Sequence, residues 1–320
     1  MKFDLGLFFK KQIYRIIHID SHDFRKTVFL AGSARSGTTW LQEIVNYAND
    51  YRILFEPFRP EKVELVRQWE KLQYIRAEER SQKYLAPMQD ILGGRIKNVW
   101  VDTYNKRLFS NKRIIKAIYA NLLLYWMKQQ FPEVPIILIL RHPCAVANSK
   151  LNIVEKHFRF STNPLMAFIS QDQLMDDFLQ PYESELRQSH SVFETFIYMW
   201  CIEYLIPLTL FNEGEVIITF YENLCVKPQE EIEHIFSYIN MPFSHSILNK
   251  LTTPSPVSRT SSAIISGENL IQSWRKNITD DQIRRALEIL NSFGMDVIYY
   301  DRDLPLLSGS ELLNTFNIHK

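Results

Sequence analysis

Residues 27–40 read Thr-Val-Phe-Leu-Ala-Gly-Ser-Ala-Arg-Ser-Gly-Thr-Thr-Trp, and this segment is the most informative part of the sequence about the fold. Its opening residues, up to the first glycine, are β-branched, aromatic or aliphatic, which predicts a buried strand. A loop that contains Gly32 and Gly37 follows, and from Thr38 onward the apolar residues recur at helical spacing. The stretch therefore predicts a strand, a glycine loop and a helix, in that order.

Strand and helix patterns alternate along the rest of the chain. Further strand candidates lie at 53–55, 114–116, 136–140 and 216–220, and the run at 136–140 is apolar at every position, as a strand covered on both faces should be. Apolar residues at helical spacing predict helices at 191–211, at 228–239 and after Thr279, a residue suited to a helix N-cap. This alternation predicts an α/β fold with a mostly parallel central sheet and helices on both faces. Ligands in such folds bind beyond the carboxyl ends of the strands.

The composition excludes several classes of function. A formal net charge of +1 provides no general excess of Lys and Arg for a nucleic-acid backbone, so no nucleic-acid partner is expected. The three cysteines are too few and too widely spaced for a disulfide framework or a zinc knuckle, which favours a reducing compartment. Neither a bilayer-spanning apolar run nor a signal peptide stands out, so we expect a cytoplasmic protein.

The N-terminal segment has an amphipathic pattern. Residues 5–17 combine apolar side chains with Lys10, Lys11 and Arg15. A helix of this kind either packs on the edge of a domain or associates weakly with a membrane surface. Packing on the domain edge is the commoner use of such a pattern.

The glycine loop has the spacing of a phosphate-binding loop. Backbone N–H groups in such a loop, together with the N-terminus of the helix that follows, bind an anion. A nucleotide kinase needs Lys directly after the second glycine, whereas this chain has Thr38 there. The cation comes earlier, at Arg35. The loop therefore predicts an anion site that differs from the nucleoside-triphosphate site of a kinase.

Residues 35–40, Arg-Ser-Gly-Thr-Thr-Trp, resemble the 5′-phosphosulfate loop of the sulfotransferase family. That loop reads Lys or Arg, Ser, Gly, Thr or Ser, and Thr, often followed by Trp. The resemblance implies an enzyme that takes a sulfuryl group from 3′-phosphoadenosine 5′-phosphosulfate (PAPS). The residues implied in donor binding are Arg35, Ser36, Gly37, Thr38, Thr39 and Trp40. No metal is required in this reading, because an Arg and helix N–H groups can hold a sulfuryl group.

Three later segments extend the resemblance. The family has a strand that ends in Arg with a Ser eight positions on, both on the 3′-phosphate, and Arg141 and Ser149 fit that spacing. Residues 221–224, Tyr-Glu-Asn-Leu, resemble the family's Tyr-Glu-Asp-Leu segment near the adenine, which makes Tyr221 a candidate for the base. Arg259 resembles the arginine of the family's late loop that closes over the 3′-phosphate.

The proton acceptor points to a branch of the family. Sulfotransferases of phenols and steroids carry a His as general base at the position that Ile118 has here. Carbohydrate sulfotransferases carry Phe-Glu-Pro after the first helix, and residues 55–57 are Phe-Glu-Pro. Glu56 is therefore the candidate base, the alternative being a surface turn before Pro. Lys116 either supports Arg35 at the bridging oxygen of the donor or is simply exposed.

The resemblance runs from about residue 27 to residue 300, and we expect one sulfotransferase domain over residues 1–320. Two long segments without a strand rhythm, 59–113 and 150–190, are interpreted as insertions that shape the acceptor site. The Phe-Glu-Pro motif favours a hydroxyl on a carbohydrate or glycolipid as the acceptor. Aromatic residues in or near the insertions could line that site: Tyr51, Phe58, Trp69, Tyr74, Trp100, Tyr104, Phe158 and Phe160.

Other readings of the same residues stay open at this point. The chain could be a P-loop nucleotide kinase, or a catalytically silent nucleotide-binding protein that uses the same pocket. The polar group His18, Asp20, His22 and Asp23 allows a metal site, although a polar turn explains it better. His142, next to Arg141, is interpreted as structural.

Overall fold

The structure is a computed structural model that describes residues 18–157, 163–188, 190–245, 247 and 269–317, without the side chains of residues 154–157. Its strands are β1 (Ile19–Asp20), β2 (Thr27–Ala31), β3 (Arg52–Phe55), β4 (Phe109–Ser110), β5 (Arg113–Ala117), β6 (Ile136–Leu140) and β7 (Ile217–Phe220). Five of them form one sheet in the order β3-β5-β2-β6-β7, and every neighbouring pair is parallel. The short strands β1 and β4 pair separately, also in parallel.

The longer described helices cover both faces of this sheet. They are α1 (Thr38–Val45), α2 (Gln82–Leu92), α3 (Leu124–Gln130), α4 (Pro143–His157), α5 (Val192–Leu210), α6 (Tyr221–Val226), α7 (Pro228–Tyr238), α8 (Asp280–Ser292) and α9 (Gly309–Asn317). The prediction of an α/β fold with a parallel central sheet is confirmed. The predicted cap is also confirmed, because the side chain of Thr279 accepts a hydrogen bond from the backbone N–H of Gln282 at the start of α8.

Alternate residues of each strand place their side chains on opposite faces of the sheet. In β2, Val28 and Leu30 belong to one buried cluster, with side chains of α1 and α7. Phe29 and Ala31 belong to the other cluster, with side chains of α5, α8 and α9. Because side chains alternate along a strand, each strand must be apolar at nearly every position to bury both faces. That requirement explains the short unbroken apolar runs in the sequence.

Helix α5 crosses the interior of the molecule. Among the described helices it has the length and apolar composition that a membrane span needs, yet 78% of its most apolar window is buried in the interior. It begins with a capping box in which Ser191 and Glu194 bond to each other's backbone N–H. A helix that is apolar all round is normally a core helix, and α5 is packed as one.

A buried ionic network joins the amino ends of β3 and β5 to the first predicted insertion. The Arg52 guanidinium donates to Asp102 over 2.9 Å and to Asp20 over 3.1 Å, and Arg113 also donates to Asp20. Arg52 further donates to two backbone carbonyls of residues 94–96 over 2.6 Å. Asp20 is thus held by two guanidinium groups, and no group of His, Cys, Asp and Glu suited to a metal occurs in the described ranges.

The predicted insertions differ in how they are built. Residues 59–113 include α2 and β4 and end on the first residue of β5. The second predicted insertion, 150–190, begins inside α4, so its first turns belong to a helix that packs against α5. The polar side chains of this part of α4 hid the helix in the sequence. The extent of a single domain stays a prediction.

Candidate functional site

The carboxyl ends of all five strands of the main sheet lie along one edge, and each contributes one part of the site. Glu56 follows β3, Lys116 lies at the end of β5, and the glycine loop follows β2. Arg141 follows β6 and Tyr221 follows β7. Parallel strands place their carboxyl ends together, so residues far apart in sequence become neighbours in the order Glu56, Lys116, loop, Arg141, Tyr221.

The loop between β2 and α1 has the backbone of an anion site. Gly37 caps α1 with φ +93°, and a Cβ at that position would lie 2.6 Å from Cδ2 of Tyr221. Gly37 therefore provides both a left-handed conformation and room for a ring. Arg35 is also left-handed, with φ +77°. The buried residues Thr38 and Thr39 open α1, where the first N–H groups of a helix lack partners within it and attract an anion.

Two arginines meet beside the loop. Nη1 of Arg141 donates to the backbone carbonyl of Arg35 over 3.2 Å, and Nε of Arg35 donates to Oγ of Ser149 over 2.9 Å. The Nε of Arg141 is buried and has no hydrogen-bond partner among the described residues. An unpaired, buried guanidinium N–H is costly unless a ligand accepts from it. The pair of arginines and Ser149 therefore fits an anionic ligand.

An aromatic wall lies next to these cations. The ring centroids of Trp40 and Tyr221 are 5.4 Å apart, and the guanidinium carbon of Arg141 lies 4.1 Å from the centre of the Tyr221 ring. The indole Nε1 of Trp40 is buried without a hydrogen-bond partner in the described ranges. Flat rings with a polar N–H suit a heterocyclic base.

Glu56 and Lys116 form the other end of the site. Nζ of Lys116 donates to Oε1 of Glu56 over 2.7 Å, and Nη1 of Arg59 lies 3.6 Å from Oε2. Glu56 is 6% exposed and Lys116 is 3% exposed, so neither the surface turn nor the exposed lysine considered from the sequence is what the structure has. Burial lowers the pKa of Lys116, Glu56 opposes this effect, and Arg35 adds to it.

His142 is buried away from the edge of the site. Its ring stacks on Trp274 at 4.5 Å, and its Nδ1 accepts from the backbone N–H of Cys144. Burial lowers its pKa to about 3, so the ring is neutral at ordinary pH. The backbone N–H of His142 donates to Oε1 of Glu222 over 3.0 Å, and Oη of Tyr299 donates to the other oxygen of that carboxylate. Glu222 thus fixes the chain just after Arg141.

The sequence did not indicate which buried residues of the neighbouring helices stabilise the glycine loop. The hydroxyl of Tyr204 contacts Ser33 and Ser36, and Nζ of Lys150 donates to Oγ of Ser33 over 3.1 Å. Glu203 lies 3.8 Å from Lys150. The apolar pattern of α5 gave no signal that two of its residues face the loop, since neighbours in space are separated by more than a hundred positions in the chain.

The structure describes only part of the predicted acceptor lining. Tyr51, Phe58, Trp69 and Tyr74 are buried in the core, which corrects their place in the candidate lining. Trp100 and Tyr104 are partly buried and pack on Phe55, the residue before Glu56. The remaining candidates lie outside the described residues: Phe158, Phe160 and, for the donor, Arg259.

Comparisons with known proteins identify a family and several structures with a similar overall fold. The family model described as "Sulfotransferase domain" matches residues 25–292. A mouse sulfotransferase complexed with PAP (adenosine 3′,5′-bisphosphate) is 14% identical over 89% of this chain and 87% of that chain, with a TM-score of 0.47. A Mycobacterium avium sulfotransferase is 11% identical over 88% and 79%, with a TM-score of 0.48. A retinol dehydratase in complex with androsterone and inactive cofactor PAP is 17% identical over 88% and 82%, with a TM-score of 0.40. No curated protein sequence matches the chain.

Proposed function

This chain belongs to the sulfotransferase domain family, whose members use PAPS as donor, and we propose that it transfers the sulfuryl group to a hydroxyl of a carbohydrate or glycolipid. The observation that carries the proposal is the order of groups along the sheet edge. A carboxylate and a lysine lie on one side of the anion loop, and an arginine and an aromatic wall lie on the other. From one end of the sheet edge to the other, this order suits the acceptor, then the sulfuryl group, the 3′-phosphate and the adenine of the donor.

The donor would be held by three parts of the chain. The loop from Gly32 to Thr38 and the N-terminus of α1 suit the 5′ end, with Arg35 beside them. Arg141, whose Nε has no partner among the described residues, suits the 3′-phosphate. Trp40 and Tyr221 suit the adenine. The donor supplies the sulfuryl group, and the chain's own residues supply position and charge.

Glu56 would take the proton of the acceptor hydroxyl. The O–H bond breaks as the new O–S bond forms, the proton goes to Glu56, and the bond from sulfur to the bridging oxygen breaks with its electron pair on that oxygen. Lys116 and Arg35 then face the charge that develops on the leaving group. When Glu56 gains the proton it loses its negative charge, so Lys116 is left as an unpaired cation at the moment when that charge appears.

The acceptor class rests on the surroundings of Glu56. The guanidinium carbon of Arg59 lies 4.9 Å from the ring centre of Trp100 and 5.6 Å from that of Tyr119. Both rings are partly exposed. Such amphipathic rings beside a proton acceptor suit a sugar, which has an apolar face and polar edges. Together with the Phe-Glu-Pro motif, this supports the carbohydrate branch.

The cytoplasmic location is likewise a proposal. It is supported by the three cysteines, all of which are free: Cys144, Cys201 and Cys225. Free thiols are the usual state of cysteines in a reducing compartment.

A transfer assay tests the proposed function. The protein is incubated with sulfur-labelled PAPS and, in separate reactions, with polysaccharide fractions, glycolipid fractions, a simple phenol and a steroid alcohol, and products are identified by mass spectrometry. We expect labelled sulfate on a carbohydrate hydroxyl, without added Mg²⁺, and labelling that is slower by roughly 10²- to 10⁴-fold with a Glu56→Gln variant. Donor binding without transfer to any fraction would favour the silent nucleotide-binding protein, and transfer to a phenol or steroid alone would overturn the acceptor class.

A further inference from the structure

The hydroxyl of Tyr204 makes hydrogen bonds to the glycine loop and to strand β6. It accepts from the backbone N–H of Ser33 over 2.9 Å and donates to the carbonyl of Ile139 over 2.8 Å. Oγ of Ser36 lies 3.0 Å away. One oxygen atom thus joins Ser33 and Ser36, the two ends of the turn in the loop, to strand β6, directly after which Arg141 lies.

These contacts use the full hydrogen-bonding capacity of the hydroxyl. A phenol has one proton to donate and two lone pairs to accept with. The proton goes to Ile139, whose carbonyl can only accept, and one lone pair goes to the Ser33 N–H, which can only donate. The remaining lone pair must then accept from Ser36, so the proton of Ser36 Oγ points to Tyr204. The backbone N–H of Ser36 is also used, in a turn to the Ser33 carbonyl over 3.1 Å.

Two helices stabilise the glycine loop, each with a pair of residues that are consecutive in the chain. From α4, Ser149 accepts from Arg35 and Lys150 donates to Ser33. From α5, Tyr204 makes the contacts above and Glu203 lies 3.8 Å from Lys150. Tyr204 is fully buried, so water cannot replace its contacts if the hydroxyl is removed. The loop therefore depends on this hydroxyl for its shape.

We propose that Tyr204 is a positioning residue for the 5′ end of the donor. Its hydroxyl fixes Ser33 and Ser36 at the two ends of the loop's turn, so that the N–H groups around Gly37 are already placed for one anion before the donor binds. N–H groups that are already in position lose less conformational entropy on ligand binding than the N–H groups of a loop that must first become ordered. The inference rests on the proposed function, because it takes the loop as the site of the donor's 5′ group.

The test compares two ligands that differ only in the 5′-phosphate. Calorimetry measures the dissociation constants of PAP and of 3′-AMP for wild type and for Tyr204→Phe. We expect PAP to bind the variant about 10-fold more weakly, because a buried N–H of the loop loses its acceptor. Binding of 3′-AMP should change by less than about 2-fold, because it does not use the loop. The advantage of PAP over 3′-AMP should therefore shrink.

Tyr198→Phe is the matched control. Tyr198 is also a fully buried tyrosine of α5, and its hydroxyl is bonded to the carboxylate of Glu185, away from the loop. Both variants should melt at a lower temperature than wild type, but only Tyr204→Phe should lose selectivity for PAP. Equal weakening of PAP and 3′-AMP in Tyr204→Phe, or the same loss of selectivity in Tyr198→Phe, would overturn the inference.

A second variant covers the case in which Tyr204→Phe does not fold. Ser36→Ala breaks only the 3.0 Å contact and leaves the Ser33 N–H paired, so it should fold and lose about 3-fold of the advantage of PAP. An unchanged advantage would overturn the inference. Wild-type protein that binds PAP no better than 3′-AMP would instead refute the proposed donor site, which keeps the two failures distinct.

Discussion

The buried ion pair between Lys116 and Glu56 links the ends of two neighbouring parallel strands. Nζ of Lys116 donates to Oε1 of Glu56 over 2.7 Å, and the backbone N–H of Glu56 donates to the carbonyl of Lys116 over the same distance. The carboxylate is thus fixed by its backbone and by its side chain. If Glu56 acts as the proposed base, it is already oriented when the acceptor arrives, which would reduce the entropic cost of proton transfer.

We expect Glu56→Gln to lower turnover by roughly 10²- to 10⁴-fold, because the amide keeps the shape of the side chain but cannot take the proton. PAP affinity should stay within about 2-fold of wild type. Turnover is measured at saturating donor and acceptor. Glu61→Gln is the control, since Glu61 also pairs with Arg59 but is far more exposed. Near-normal turnover of Glu56→Gln would remove Glu56 from the proposed chemistry.

Arg141→Ala and Arg35→Ala should separate binding from catalysis. Loss of Arg141 removes a charge-assisted contact to the 3′-phosphate and should weaken PAP binding by about 1.5 to 3 kcal/mol, measured by calorimetry. Loss of Arg35 should reduce turnover more than donor affinity, because its charge meets the developing charge of the transition state. Equal losses of affinity with unchanged turnover in both variants would contradict this division.

Gly37→Ala should abolish tight donor binding. The new methyl group would meet the Tyr221 ring at 2.6 Å, and φ is +93°. Gly214→Ala is the control, because Gly214 has φ +86° and no atom within 4 Å of an added Cβ. Both substitutions should cost about 1 to 2 kcal/mol of unfolding free energy, from backbone strain. Only Gly37→Ala should weaken PAP binding, by at least about 10-fold, and a similar loss in both would argue against the contact with Tyr221.

The buried ring of His142 should make stability depend on pH. Its folded pKa is about 3, so below its unfolded pKa of about 6.5 the unfolded chain binds a proton that the folded protein does not. Stability is therefore lost as pH falls from about 6.5 toward 3. Between about pH 7.5 and pH 5, wild type should lose up to about 2 kcal/mol more unfolding free energy than His142→Asn. Equal losses in chemical denaturation would show that His142 is accessible to protons when folded.

The sequence predicts this fold well because each strand is buried on both faces. Each strand of the main sheet is buried at every position and contains a short apolar run, and in β6 this run ends at Leu140, just before Arg141. The ends of the runs therefore predict both the strands and the edge that carries Glu56, Arg141 and Tyr221. Local pattern alone was enough for this part.

Contacts between distant residues could not be predicted in the same way. Tyr204 and Ser33 are 171 positions apart, and Tyr204 lies in a helix whose composition indicates only burial. The aromatic residues near the insertions illustrate the same limit. Trp69 is buried in the core and Trp100 is partly exposed beside Phe55, yet their sequence contexts do not differ in kind. Which way a side chain faces depends on packing that a single sequence does not contain.

Calorimetric titration of the wild-type protein with PAP and with 5′-AMP, each with and without Mg²⁺, tests whether the sheet edge binds PAPS. The two ligands differ in the 3′-phosphate, which we assign to Arg141. We predict that PAP binds about 10- to 150-fold more tightly than 5′-AMP, the range expected for a charge-assisted phosphate contact, and that Mg²⁺ changes neither affinity. Equal affinities for PAP and 5′-AMP, or binding that requires Mg²⁺, would contradict the assignment of this sheet edge as a PAPS site.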